Sequence, residues 1–380
     1  MEALIQDLLL GICGLTFKHV IMWIIGLALI YLALAKDYEP LLLLPIGFGA
    51  ILANIPFSSA TGTDGPLITL LHAGISNELF PVLIFIAIGA MCDFTPLLKQ
   101  PFLMIFGAAA QFGIFATILL AALLGFPINQ AAAIGIIGAA DGPTTIYVAN
   151  KFARELLAPL SVAAYSYMAL VPIIQPPVIK LLTTKNERLI RMPYHEEKVN
   201  NKILIAFPIV VTIIAGVIAP ISVALIGFLM FGNLLRVGVE MCSSLGRLND
   251  TAQNELANLV TLVLGITIGG TMTAEGFLND TTLMIMGLGL VAFIFDTAGG
   301  VLLAKLLNLF RQEKINPMIG AAGISAFPMA GRVVAKMAQA EDKKNYLIMQ
   351  AIGANASGQI GSIIAGGIVL AVVGSMIGVR

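Results

Sequence analysis

The stretch GIIGAADGPTTIYVAN, residues 135 to 150, places a carboxylate, Asp141, just before Gly142 and Pro143 and two threonines, Thr144 and Thr145. Pro143 removes a backbone donor and Gly142 frees the chain, so carbonyls upstream lose their helical partners. A carboxylate, open carbonyls and hydroxyls make a hard-oxygen cage suited to a small cation such as Na+, Mg2+ or Ca2+. The same tripeptide is also a common surface turn, and the chain contains a comparison. TGTDGPL, 61 to 67, lies among Ser58, Ser59, Asn77 and Glu78 and reads as an external loop around Asp64. Asp141 instead sits in apolar sequence, where a central Asp costs at least about 2.5 kcal/mol and marks function by default.

Two later stretches carry further polar groups. INPMIGAAGISAFPMAGR, 315 to 332, offers the Asn316 amide ahead of Pro317, the Ser325 hydroxyl, and Gly320 and Gly323 where backbones can approach closely. Arg332 closes it and, by position alone, reads as an anchor snorkelling to the interface. GANASGQIGS, 353 to 362, offers Asn355, Ser357, Gln359 and Ser362; close packing of small residues accounts for most of it, and Asn355 is the candidate ligand. Tyr165 and Tyr167 both offer a hydroxyl, but at a spacing of two they cannot share a helix face. Asp93 and Asp296 are placed near span ends; Asp93 reads as an interfacial cap and Asp296 is left open.

The elements that must hold these groups follow from composition. The chain has 380 residues, of which 58% are hydrophobic and 11% charged, against about 25% charged in soluble domains. It is expected to be an all-α polytopic membrane protein, since barrel strands would alternate in polarity. A net charge of zero argues against nucleic acid as a partner. Cys13, Cys92 and Cys242 have no CxxC or histidine spacing and read as small apolar residues. The run from Ile12 to Ala35 is long for a signal peptide and reads as a retained span.

Further apolar segments fall near 41–56, 79–98, 102–125, 129–149, 157–182, 203–219, 221–241, 256–271, 281–304, 315–330 and 345–375. Some are shorter than the roughly 20 residues a helix needs to cross. KLLTTKNERLIRMPYHEEKVNNK, 180 to 202, is strongly basic and is expected on the cytoplasmic side as a solvated connector. Counting outward from it, 129–149 and 315–330 must be re-entrant from opposite sides, an inverted-repeat arrangement expected of transporters. The expected organisation is a first membrane half, 1–179, a cytoplasmic basic loop, 180–202, and a second membrane half, 203–380.

These blocks closely resemble the membrane-embedded beta subunit of the biotin-dependent, sodium-pumping decarboxylases, and the likeness runs over essentially the whole chain. The 50-residue run from Gly135 through Thr184 is its most specific part, with 315–334 and 353–362 matching later blocks. Ala139 is the one local departure, where the family motif carries Gly. The resemblance implies a subunit that decarboxylates carboxybiotin and couples CO2 release to Na+ export with proton uptake. Asp141 then corresponds to the family's sodium-binding aspartate, with Asn316 and Asn355 as amide partners, beside the Thr144 hydroxyl already read as a sodium ligand. Tyr167 and Ser325 correspond to residues linked to a second sodium or to proton delivery. Gly142, Pro143 and Gly320 shape the site. Arg332 becomes the cation facing carboxybiotin, which reverses its reading as an anchor.

The implied partners are a carboxyltransferase (alpha) subunit, a biotin carrier protein or domain, and a small single-span (gamma or delta) subunit. A homo-oligomer within the complex and a place in the cell inner (plasma) membrane are also implied. Two rival readings remain at this stage: a sodium-coupled transporter of a small anion without chemistry, and a scaffold subunit with no site of its own.

Overall fold

The computed structural model describes residues 11–38, 40–62, 65–193, 199–218 and 220–378. Asp64, the comparison carboxylate, lies outside the described residues. Among them there are helices and no strand, as apolar backbone in lipid requires. The principal elements are α1 (Phe17–Lys36), α2 (Pro40–Ala53), α3 (Leu79–Met91), α4 (Pro101–Leu123), α5 (Ile128–Ile136), α6 (Gly142–Phe152) and α7 (Leu157–Leu182). They continue with α8 (Asn201–Ile218), α9 (Val223–Gly238), α10 (Ala257–Gly270), α11 (Asp280–Phe310), α12 (Met318–Ala321), α13 (Met329–Glu341) and α14 (Ile348–Ile377). Among the described residues six helices are long and apolar enough to cross a bilayer unaided, so the chain is an integral membrane protein.

The order repeats. A π-helical turn, Leu71–Ser76, leads toward α3, and another, Ala252–Leu256, runs straight into α10. In space α2 packs on α10 while α3 packs on α9, so each half supplies one helix to each pair. Both pairs are pinned by a buried asparagine. Asn54 Nδ2 donates to the Met272 carbonyl just beyond α10 at 2.6 Å, and Asn233 Nδ2 donates to the Cys92 carbonyl just beyond α3 at 2.9 Å.

Two interrupted segments form hairpins. In hairpin 1, α5 and α6, the Asn129 side chain donates to the Phe152 carbonyl at 2.7 Å and Gln130 bonds Glu155 at 2.8 Å, so both limbs open at one end. In hairpin 2, α12 and α13, Asn316 and Glu341 at its two ends both meet Arg188. Residues 152–155 lie just before α7 and Arg188 just after it; α7 has 26 residues and spans about 39 Å. The hairpins therefore enter from opposite faces, as an inverted repeat demands. The second limb of hairpin 2 runs to Glu341, beyond the 315–330 read from hydropathy, because its amphipathic end carries Arg332 and Lys336 outward and looks polar in sequence.

The basic loop is more than a connector. Thr184 and Glu187 form a reciprocal N-terminal cap on a short helix, Lys185–Arg188. Arg188 then pairs with Glu341 at 2.6 Å, Arg191 with Asp342 at 2.6 Å, and Lys305 with Glu187 at 3.3 Å. Gln350 donates to the Met192 and Pro193 carbonyls. Residues 183–193 thus lie across the mouth of hairpin 2. Asp93 is a cap as expected: it accepts from Thr95 N at 3.0 Å and pairs with Arg236 at 3.3 Å. Asp296 lies mid-helix in α11 and fully buried, not near a span end.

Candidate functional site

The tips of the two hairpins touch. Ser325 N donates to the Ala139 carbonyl at 3.0 Å, tying the break of hairpin 2 to the break of hairpin 1. The first break forms because α5 ends in a short 3-10 turn and Ala140 takes a left-handed conformation, φ 50°. Asp141 follows as the N-cap of α6, with Pro143 in the first turn where its missing donor costs nothing. The residue types that made the stretch conspicuous in sequence are the ones that stop one helix and start another.

Asp141 is 3% exposed. Its Oδ1 accepts from Thr144 N at 3.1 Å; its Oδ2 accepts from Ser325 Oγ at 2.9 Å and Ser362 Oγ at 2.6 Å. The two serine hydroxyls are 2.9 Å apart. Gln359 Nε2 donates to Ser325 Oγ at 2.9 Å and also to the Ser325 carbonyl. Thr145 Oγ1 donates back to the Asp141 carbonyl at 2.8 Å. These bonds and the N-terminus of α6 hold the carboxylate in one orientation at the crossing.

Several buried acceptors near this cluster have no hydrogen-bond partner: Thr144 Oγ1, Asn355 Oδ1 and Gln359 Oε1. Asn355 is oriented by its other end, Nδ2 donating to the Ile324 carbonyl at 2.7 Å. Orphaned oxygens around a buried carboxylate suit a weakly held hard cation. Among the described residues no cluster of His, Cys, Asp and Glu suits a tightly bound metal.

The structure thus brings Asp141, Thr144, Ser325 and Asn355 together, with Gly142 and Pro143 shaping the turn. Gly320 packs against Gly300 of α11, where any Cβ would overlap a carbonyl oxygen. Asn316 is placed elsewhere. Its Nδ2 donates to the Arg188 and Ile190 carbonyls at 2.9 and 2.8 Å, and its Oδ1 accepts from Met318 N at 3.1 Å, so it fastens the basic loop. Tyr167 is also apart: its hydroxyl donates to the Met286 carbonyl of α11. Tyr165 is the tyrosine beside Asp141. Its ring lies so close on Gly142 that a Cβ there would overlap it, and its buried hydroxyl has no partner. Arg332 sits one turn into α13, exposed, its side chain in no hydrogen bond or ion pair among the described residues.

Sequence reasoning noted Ser362 and Gln359 but did not choose them. The available signal was spacing: Asn355, Gln359 and Ser362 stand at i, i+4 and i+7, one face of α14.

Comparison with known proteins accords with this geometry. Residues 18–373 match the family described as the Na+-transporting oxaloacetate decarboxylase beta subunit. The glutaconyl-CoA decarboxylase subunit beta of Acidaminococcus fermentans is 49% identical, covering 98% of both chains. The methylmalonyl-CoA decarboxylase subunit beta of Propionigenium modestum is 47% identical over 96% of this chain and 97% of its own. The oxaloacetate decarboxylase beta chain of Haemophilus ducreyi is 43% identical over 97% of this chain and 98% of its own. With two crossed hairpins, a buried carboxylate at their contact and this likeness along its length, the chain belongs to the family of Na+-transporting decarboxylase beta subunits.

Proposed function

We propose that this chain is the sodium-conducting membrane subunit of a biotin-dependent decarboxylase. It decarboxylates carboxybiotin delivered by a partner and exports Na+ as a proton enters. The observation that carries the reading is Asp141 at the crossing of two oppositely entering hairpins, ringed by oxygens. In this reading Na+ is the cargo, held by Asp141 with Thr144, Ser325 and Asn355, and with Ser362 and Gln359 added. Asn316 works at the inner mouth, holding residues 188–190 in place over the route to the site. Tyr167, in the outer part of α7, lies on the way out.

Arg332 is the cation for the carboxylate of carboxybiotin, an unpaired guanidinium on the limb of hairpin 2 that faces the basic loop. That face is taken as cytoplasmic. Lys18, Lys151 and Arg154 lie on the opposite face, while Lys36, Lys180, Lys185, Arg188, Arg191, Lys202, Arg236, Lys305, Lys314, Lys343 and Lys344 lie on this one. Positive residues concentrate inside, which supports the cell inner membrane with the loop 180–202 in the cytoplasm. The division into halves at 1–179 and 203–380 follows the same repeat.

Moving each Na+ against about 100 mV costs about 2.3 kcal/mol, and a tenfold gradient adds about 1.4 kcal/mol. Coupling therefore has to prevent CO2 release without transport, which a carboxylate shared between two mobile hairpins can do. The partners in this reading are a carboxyltransferase (alpha) subunit, a biotin carrier and a small single-span subunit, with more than one copy of this chain in the complex. Relatives named for three acyl substrates are similarly identical, as expected where another subunit selects the substrate. The test is the assembled complex in vesicles: CO2 release that depends on Na+ and is lost in Asp141→Asn supports the reading. Release indifferent to Na+ leaves the chain a transporter or a scaffold.

A further inference from the structure

Asp296 is a second fully buried carboxylate in the membrane part, and the sodium cluster does not use it. Its Oδ1 accepts the amide of Gly113. That amide is special because α4 is interrupted at Ala110–Gln111 and restarts at Phe112, leaving the unpaired donors of a helix N-terminus at membrane depth. Asp296 caps this restart from across the α4–α11 contact. Its Oδ2 has no partner and faces hairpin 1, where a Cβ built on Gly138 would stand 2.9 Å away.

A buried carboxylate with a free oxygen is costly unless it is paired or neutralised. Among the described residues no Lys, Arg or His pairs with Asp296. The titratable groups on the elements packed around it are Asp141, three residues past Gly138 on hairpin 1, and on α7 Tyr165 and Tyr167, the latter held by the Met286 carbonyl. From α4 it meets Gly113. Oδ2 meets hairpin 1 at Gly138 and makes no hydrogen bond among the described residues, a setting that suits a proton better than a coordinated ion.

We propose that Asp296 is the proton-carrying carboxyl of the pump, a site separate from the Asp141 sodium cluster, its Oδ2 exposed or covered as hairpin 1 shifts against α11. The inference rests on the reading of the chain as a pump with proton uptake. The balance is closed: Oδ2 gains a proton from the outer side and later loses it inward. There the ureido nitrogen takes it up as the N–CO2 bond of carboxybiotin breaks, giving biotin and CO2.

Asp296→Asn keeps an oxygen for the Gly113 amide and resembles the neutral acid. In vesicles holding the whole complex, Na+ uptake and internal proton change are measured together. Any decarboxylation the variant retains must draw its proton from water on the inner side, so the proton counterflow per Na+ is expected to be lost. An unchanged ratio, with or without less assembled complex, makes Asp296 a structural clamp and overturns the proposal. A second readout needs no turnover: modification of protonated carboxyls by a hydrophobic carbodiimide, located by mass spectrometry. Asp296 should be modified increasingly as pH falls, and equally in Asp141→Asn. Absence of modification at every pH, or its loss in Asp141→Asn, also overturns the proposal. Failure of the sodium reading would show separately, as Na+ dependence that survives Asp141→Asn.

Discussion

Hairpin 1 and hairpin 2 are built alike and loaded differently. Each carries a G-x-x-G step at its break, Gly135–Gly138 in one and Gly320–Gly323 in the other. In both, the first glycine packs on the long helix of its own half, Gly135 on α4 and Gly320 on α11. The second packs on the long helix of the other half, Gly138 on α11 and Gly323 on α4. Each break is followed five residues later by a proline, Pro143 or Pro328. The chemistry is not repeated. Where hairpin 1 has Asp141, hairpin 2 has Ala326, preceded by Ser325; and hairpin 2 carries Arg332 where hairpin 1 carries Tyr147. A duplicated scaffold brings two breaks to one crossing point; in the proposed function, confining the carboxylate to one copy gives a single binding locus that both sides share.

The largest effect should come from the carboxylate. Asp141→Asn is expected to weaken Na+ about 100-fold or more, about 2.8 kcal/mol, read as the Na+ dependence of decarboxylation. Placing a carboxylate in the other copy, Ala326→Asp, should fail to restore it, because α6 and its N-terminus are absent there; restored Na+ dependence in the double variant would mean the two breaks are interchangeable.

Next comes the packing difference between the glycines. Gly320→Ala must push backbone off backbone and is expected to cost about 2–3 kcal/mol, seen as a lower Tm of the purified complex. Gly138→Ala meets the Ala292 Cβ, which is fixed, and the Asp296 Oδ2, which can turn, each at 2.9 Å, and should cost less than the overlap with the Gly300 carbonyl at Gly320. A reversed order would break the assignment of these two contacts.

The tyrosines separate binding from exit. Tyr165→Phe removes an unpartnered hydroxyl near Asp141 and should raise the half-saturating Na+ several-fold with little change in Tm. Tyr167→Phe removes a second donor from the Met286 carbonyl, which keeps its helical partner, costing about 1 kcal/mol, and should lower Na+ moved per CO2 without changing Na+ affinity. Equal shifts in affinity from both would remove the distinction.

The smallest effect is at the mouth of hairpin 2, where residues 183–193 lie; at the open end of hairpin 1 the contacts are Asn150 with Ser76 and Lys151 with Glu78. The Lys344 amide and the Arg191 guanidinium hold the Asp342 carboxyl below its ordinary range. Although partial burial pushes Glu187 up, the Thr184 amide and hydroxyl and Lys305 hold it lower on balance. Depressed carboxylates stabilise the folded contact above their unfolded pKa and lose that contribution as pH falls through the folded value. Amide exchange in residues 183–193 should therefore rise only below the usual carboxylate range, while residues 129–155 stay unchanged.

Much of this was legible in the amino-acid order. Hydropathy and the lack of charge settle an all-helical membrane protein, and Asp141–Gly142–Pro143 announces both the break and the buried carboxylate at it. Opposite entry of the two hairpins followed from where lysines and arginines fall. Polar residues alone, however, do not say which of their atoms are free. Asn316 and Tyr167 look as available as Asn355 and Tyr165 until their hydrogen bonds are seen: the first two are spent on carbonyls, the others keep an oxygen or hydroxyl unpaired. Asp296 looked like a span end because α11 runs on past the hydropathic stretch to Phe310. What the sequence determined by itself was local and additive: burial, helix breaks and the sidedness of charge. What only the tertiary structure decided was which atoms meet across about 180 residues of chain, Asp141 with Ser325 and Gly113 with Asp296. Such pairings depend on how two hairpins cross, and no spacing along the chain encodes that.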